Sequence, residues 1–337
     1  MIAATRRYET VRVLDCTLRD GGYYTDWRFD DDVVDSYFSA VAGSRVDLVE
    51  VGYLAPGAGT DARSKVDRVE KFAALVSKCA RECAFMLDAK AFDSSARSEK
   101  LLRNSLENRP SRELTTARIA VHFSKLDAIE PLTGIIADCG YRPVVNLMQI
   151  DGADEKALEH VTARLASCPQ IKIVYIADSF GSMAPARVAA VVRKVREQTG
   201  AAVGFHAHEN MGLALMNAIA AMDAGATWID STVYGMGRGA GNLCTEKICA
   251  VLEAGADACF DTVISAHFAL LKSRYAWGES ILYRIAARER IHPSYVQTLS
   301  QGRALDVPAA LRQLLAVPAE ARGSFDPRLL MDVCNAN

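Results

Sequence analysis

From Val11 to about residue 262, eight short apolar runs recur, each closed by a polar turn and most of them followed by a longer stretch with helical period. The strand candidates are Val11 to Cys16, Asp47 to Gly52, Ala84 to Asp88, Ala117 to His122, Arg142 to Leu147, Ile171 to Ala177, Ala202 to His206 and Trp228 to Thr232. Between them, segments such as Asp30 to Ala42, Ala186 to Gln198 and Gly212 to Ala224 carry helical spacing, and many end at glycine, which takes the left-handed turn at a helix C-terminus without a Cβ clash. Strands that alternate with helices pair in parallel, and eight such units in about 250 residues predict a closed (β/α)8 TIM barrel. An open doubly wound sheet is the competing arrangement, but no Gly-x-Gly-x-x-Gly follows the first strand to favour it.

Beyond residue 262 the strand rhythm stops. Ala266 to Lys272, Glu279 to Arg288 and Ala309 to Leu315 read as helices, with Tyr275 to Gly278 and His292 to Tyr295 as connectors. The expected organisation is a catalytic barrel over residues 1–262 and a C-terminal helical domain over 263–337. Such an appendage covers a barrel mouth, builds a dimer interface or docks a partner enzyme, and the sequence does not choose among these.

Charge and composition narrow the class. With 337 residues and 50% hydrophobic content, the chain buries a large core. The 39 basic and 41 acidic residues nearly balance, so nothing points to a nucleic-acid or membrane-surface partner. No apolar run is long enough to span a bilayer, and Met1 to Tyr8 lacks the apolar segment of a secretory signal, so a cytoplasmic protein is expected. The nine scattered cysteines form no Cys-x-x-Cys pair and read as reduced thiols, with Cys79 and Cys83 as core residues sharing a helix face.

Two stretches carry chemistry. In Gly204-Phe205-His206-Ala207-His208-Glu209-Asn210, the histidines lie two apart at the end of an apolar strand and face the same way. Two neutral imidazoles there supply two corners of a metal site. In Leu14-Asp15-Cys16-Thr17-Leu18-Arg19-Asp20-Gly21-Gly22, Asp20 offers a hard oxygen ligand and Arg19 a permanent cation for a carboxylate or a developing enolate. In a barrel these groups sit at the C-terminal ends of strands one and seven, and Asn242 follows strand eight, so all three neighbour one another around the ring. Glu50, flanked by apolar residues in the second strand, needs a partner such as Arg19 if it is buried. Asp88, Lys90, Asn146, Gln149 and the Asp178-Ser179 turn also occupy strand ends, in capping or turn roles as readily as substrate contact. His122 is singled out there to line the pocket or act as the base, because an imidazole titrates in the useful range. Arg238, among Gly235, Gly237, Gly239 and Gly241, either reads an anionic substrate group or reaches solvent.

These motifs resemble the metal-dependent DRE-TIM metallolyase superfamily, which includes 4-hydroxy-2-oxovalerate aldolase, hydroxymethylglutaryl-CoA lyase and isopropylmalate synthase. Thr17-Leu18-Arg19-Asp20-Gly21 is similar to its first-strand signature, His206 to Ala214 to its seventh-strand metal motif, and Gly235 to Asn242 to its glycine loop. The resemblance covers roughly Val11 to Glu246 and is closest in pattern to 4-hydroxy-2-oxovalerate aldolase. It implies an HMGL-like barrel with a divalent metal, Mn²⁺ foremost but Mg²⁺, Co²⁺ or Zn²⁺ also suited, on Asp20, His206 and His208 with Asn242 as a further ligand. It implies Arg19 polarising a 2-oxo acid such as pyruvate; Asp178 and Arg238 are the further candidates for substrate contact beside Arg19. An aldehyde co-substrate, a homodimer and an aldehyde dehydrogenase partner follow from the same branch. Where the aldolases carry a histidine after the Asp-Gly pair, this chain carries Tyr23, which becomes the candidate base beside His122. An acetyl-CoA-dependent Claisen condensation is the alternative chemistry, and a metal-binding scaffold without turnover a third.

Overall fold

The structure is a computed structural model describing residues 8–56, 66–107, 109, 111–300 and 306–330. The N-terminal segment up to Arg7 and Cys334 lie outside these residues. Eight parallel strands close into a barrel in sequence order: β1 (Arg12–Asp15), β2 (Val46–Tyr53), β3 (Glu82–Asp88), β4 (Leu114–His122), β5 (Arg142–Met148), β6 (Ile173–Asp178), β7 (Ala202–Ala207) and β8 (Trp228–Ser231). β1 pairs with β8 from Arg12–Trp228 to Asp15–Ser231, which seals the ring. The predicted TIM barrel is thus the observed architecture.

Alternation along each strand sorts the side chains. Outward-facing Val13, Val49, Phe85, Ile119, Val145, Val174, Val203 and Ile229 join the large buried cluster against the surrounding helices, among them Asp31–Ala42, Ala96–Leu106, Glu155–Ala166 and Pro185–Thr199. Inward, Leu14, Leu48, Ala84, Val144, Ile173, Tyr175 and Trp228 fill the lower barrel. The next inward positions toward the C-terminal ends carry charge instead: Glu50, Arg118, Asp230 and His206 are all buried. A register shift between Glu50 and Tyr53 in the β2–β3 pairing breaks the alternation at β2's end, and Tyr53 joins Met86 and Ala120 at the barrel mouth.

Helices continue after the barrel. Phe260, Val263, Phe268 and Trp277 still bury in the barrel's outer core, whereas a second cluster forms from Leu282 onward around Ile285, Ala286, Tyr295, Val296, Ala310 and Leu314. Ala240 of the glycine loop belongs to this second cluster and ties it to the mouth. The stretch from His292 to Tyr295, expected as a connector, instead starts the helix Pro293–Leu299: proline stands at the first turn and the His292 ring accepts from Ser294 N at 3.3 Å. Cys79 and Cys83 do not share a helix. The helix ends at Lys78, and Cys83 lies on β3. The eight described cysteines are all free thiols. Among the described residues, no helix is long and apolar enough to cross a membrane.

Candidate metal centre and barrel mouth

After β1 the chain turns at once into the short helix Thr17–Asp20, which lays Arg19 and Asp20 across the barrel's end, both buried. Arg19 Nη1 donates to Asp20 Oδ1 at 2.7 Å, and its Nε donates to Glu50 Oε2 at 2.7 Å. Glu50, the buried carboxylate of β2, therefore has the partner the sequence demanded.

At the end of β7, His206 and His208 stand side by side with ring centroids 4.8 Å apart. Each has its Nδ1 engaged away from Asp20: His206 donates to Asp230 Oδ2 at 3.0 Å, and His208 donates to the Asp178 carbonyl at 2.9 Å. Both tautomers are fixed, which leaves the two Nε2 lone pairs to act as ligands. His206 Nε2 lies 3.8 Å from Asp20 Oδ2, and ligand atoms of Asp20, His206 and His208 all fall within 4.8 Å of one another. The predicted triad is assembled.

Asn242 completes the cluster. The loop after β8 returns along β7, with Leu243 N donating to Ala207 O at 3.2 Å and Glu209 N to Gly241 O at 2.9 Å. Gly241, at φ 83°, passes so close to Gly235 that a Cβ would sit 2.4 Å from the Gly235 carbonyl, and a Cβ on Gly237 would strike the Asn242 amide. Asn242 Nδ2 donates to Asp20 Oδ2, while Asn242 Oδ1 is buried with no hydrogen-bond partner. An orphaned amide oxygen beside a carboxylate and two imidazole lone pairs is a nitrogen-and-oxygen donor set suited to a divalent metal. The residues fit such an ion. In a second grouping, of Cys16, His206 and Asp230, Cys16 donates to Ser231 O, and Asp230 Oδ2 is engaged by Arg118 and His206.

Electrostatics agree with this reading. Burial alone pushes Asp20's carboxyl up, but Arg19, His206 and His208 outweigh it and hold it well below the usual carboxylate range. Burial and the neighbouring His206 bring His208 down to about 3, so it is a neutral imidazole near pH 7.

Beneath the cluster runs a chain of charge, of which the sequence reading anticipated the Arg19–Glu50 pair and missed Arg118 and Asp230. Arg118 of β4, wholly buried, donates from Nη1 to Glu50 Oε2 at 2.9 Å and from Nη2 to Asp230 Oδ2 at 2.6 Å. Asp20, Arg19, Glu50, Arg118, Asp230 and His206 thus form a ring across the barrel, each in contact with the next. Three carboxylates against two guanidiniums leave it one negative charge when His206 is neutral. A low-dielectric interior with a net negative ring favours a cation above it.

The other predicted site residues divide. Tyr23 lines a cavity of about 180 Å³ at the mouth, together with Tyr53, Lys90, Arg238 and His292. The Tyr23 and Tyr53 hydroxyls are 3.0 Å apart, Arg238 lies over the Tyr23 ring at 5.1 Å, and Arg19 over Tyr53 at 5.9 Å. His122 stands apart from the metal cluster, its ring nitrogens engaged by Ser124 Oγ at 2.8 Å and Gln149 Oε1 at 3.1 Å. Asp178 turns its carboxylate into its own loop, accepting from Ser182 N at 2.9 Å and Met183 N at 3.2 Å, and burial followed by Asp151 raises it to about 7. What Asp178 gives the centre is its carbonyl, which orients His208.

With this geometry in place, relatives can be compared. The HMGL-like family model matches residues 10–270. A 4-hydroxy-2-oxovalerate aldolase of Chloroflexus aggregans (strain MD-66 / DSM 9485) is 31% identical over 248 residues, 72% of this chain and 69% of the relative. One from Geobacillus genomosp. 3 is 31% identical over 250 residues, 73% of this chain and 71% of the relative. Among solved structures, the N-terminal domain of a candidate aldolase from Bacteroides vulgatus superposes with a TM-score of 0.74 at 27% identity, covering 89% of this chain and 100% of that one.

Proposed function

The chain belongs to the HMGL-like family and is a metal-dependent aldolase, a carbon–carbon lyase, and we propose that it works through the enolate of pyruvate or a related 2-oxo acid at the Asp20–His206–His208 centre. The observation that carries the siting is the pair of histidines whose Nδ1 atoms are both committed, beside Asp20 and the orphaned Asn242 oxygen. Asp20, His206, His208 and Asn242 would hold the divalent metal, and Mn²⁺ suits their mixed donors. When bound, the metal polarises the 2-oxo acid as a Lewis acid.

This chain's residues do the rest. Arg19, fixed by Glu50 and Asp20, sets a cation beside the oxygen where negative charge develops. Tyr23 is our candidate for moving the aldol hydroxyl proton. Burial keeps Tyr53 protonated, and the hydrogen bond between the two hydroxyls fixes Tyr23 at the cavity wall. Arg238 packs on the Tyr23 ring and faces the same cavity as an anion contact. His208 is aimed by the Asp178 carbonyl, while Asp178's side chain holds the loop beneath it.

An acetyl-CoA-dependent condensation is not favoured by these relatives. Pyruvate release from a set of 4-hydroxy-2-oxo acids, followed by coupled reduction to lactate, tests the reading. Release should require added divalent metal and disappear in Asp20→Ala. Thiol release from acetyl-CoA with a 2-oxo acid, without pyruvate release, would overturn it.

A further inference from the structure

The cavity at the mouth meets the ring through Tyr53, whose face Arg19 covers, and its wall also carries Lys90 after β3, Ser179 after β6, Arg238 of the glycine loop and His292 of the C-terminal helices. The 2-oxo acid lies at the metal centre on the reading above, so this cavity receives its partner aldehyde.

Its polar wall carries two cations, Lys90 and Arg238, against one carboxylate. Among the described residues neither Lys90 Nζ nor the Arg238 guanidinium has a carboxylate partner. Arg238 is half-buried and lies over the face of Tyr23, and Lys90 is exposed. Asp88 is the one carboxylate on the cavity wall, and its Oδ1 accepts from Lys90 N at 3.0 Å, closing the turn after β3. Ser179 Oγ accepts from Gln149 N at 2.8 Å, which leaves its hydroxyl hydrogen to donate. His292 enters from outside the barrel with its Nδ1 accepting from Ser294 N, and it stands edge-on to Phe180. Cations left unpaired on a cavity wall favour an anionic ligand and disfavour an apolar one.

We propose that the acceptor of this aldolase is a short aldehyde carrying an anionic group, held by Lys90 and Arg238, and this rests on the pyruvate-enolate reading of the site. At about 180 Å³ the cavity has room for a short acceptor. In the forward direction the methyl carbon of pyruvate loses a proton and bonds to the aldehyde carbon. The aldehyde oxygen takes up a proton, and nothing is oxidised or reduced. The product is a 4-hydroxy-2-oxo acid with a second anionic group.

Pyruvate consumption by the metal-loaded protein, measured with matched acceptors, tests this. Glyoxylate is compared with acetaldehyde, 4-oxobutanoate with pentanal, and glyceraldehyde 3-phosphate with glyceraldehyde. The expected result is a kcat/KM at least tenfold higher for the anionic member of at least one pair, carried mainly by KM. Which pair shows it separates a carboxylate from a phosphate. Lys90→Met should lower that selectivity ratio at least tenfold, and Lys90→Arg should restore most of it. Neutral acceptors equal to or better than anionic ones, or a ratio untouched by Lys90→Met, would overturn the proposal. Exchange of pyruvate methyl protons by the unmodified protein, measured without acceptor, separates the two failures. Exchange without anionic preference sinks only this inference, while absence of exchange sinks the enolate reading beneath it.

Discussion

Replacing Asp230 with asparagine isolates the ring's contribution to metal binding. In the native barrel Asp230 Oδ2 receives Arg118 Nη2 at 2.6 Å and His206 Nδ1 at 3.0 Å, with no solvent exposure of its side chain. Asparagine is nearly isosteric and an amide oxygen can accept both donors, so the shape survives while one charge goes. Two consequences follow. Arg118 and Arg19 are then left to share Glu50, and removing one partner of a buried ion pair costs about 3–5 kcal/mol of folding stability. His206 loses the carboxylate that fixes its tautomer and ring orientation and the ring loses its net negative charge, so metal affinity falls about 10–100-fold, or about 1.4–2.7 kcal/mol. Calorimetric titration of metal-stripped protein with Mn²⁺ reads the second effect, and urea denaturation without metal reads the first. Adding Arg118→Met removes the cation that lost its partner and returns the ring to one net negative charge, so it should recover much of the stability but only the part of the metal affinity that the charge sets, because His206 still lacks its carboxylate. A dissociation constant within threefold of the unmodified protein, in a folded Asp230→Asn variant, would refute the argument that the ring tunes the centre.

Other substitutions separate the remaining roles. Asn242→Ala should weaken Mn²⁺ binding about tenfold, an effect of the size expected for an oxygen ligand, and binding unchanged by titration would remove Asn242 from the ligand set. Tyr23→Phe should reduce kcat for aldol cleavage about 10²–10⁴-fold while His122→Asn stays within a few-fold, because the His122 ring nitrogens face Ser124 and Gln149; steady-state kinetics showing the reverse order would exchange their roles. Burial depresses His208 and His292 to about 3, so the unfolded chain binds more protons than the fold between about pH 3 and the ordinary histidine value near 6.5. Asp178, raised to about 7, acts in the opposite sense over the same window, so the histidine part is read by difference: the urea midpoint of metal-free His292→Gln should lose less than that of the unmodified protein between pH 6.5 and 4.5, and equal losses would contradict it.

Much of this architecture was legible because a barrel strand buried on both faces reads as an apolar run, and the proposed ligands Asp20, His206 and His208 lie at the ends of two such runs, where the structure brings them together. The start of β4 was not, since Thr115 and Thr116 look polar in sequence although Thr116 is buried in the barrel. Arg118 and Asp230 escaped for a different reason. Each is a lone charge inside an apolar run, and its partners lie 68 and 112 residues away from Arg118, so only closure of the ring explains them. Tyr53 was hidden by the register shift at β2's end, which no periodicity reveals. His292 lay in a stretch without pattern, and only the packing of the C-terminal helices brings it to the cavity.

The enolate chemistry at this centre is tested most directly by NMR of pyruvate methyl protons in D2O, with metal-stripped protein, with and without added Mn²⁺ or Mg²⁺, beside Asp20→Ala. The account predicts exchange that requires both the metal and Asp20. Exchange indifferent to Asp20, or none with either metal, would contradict it.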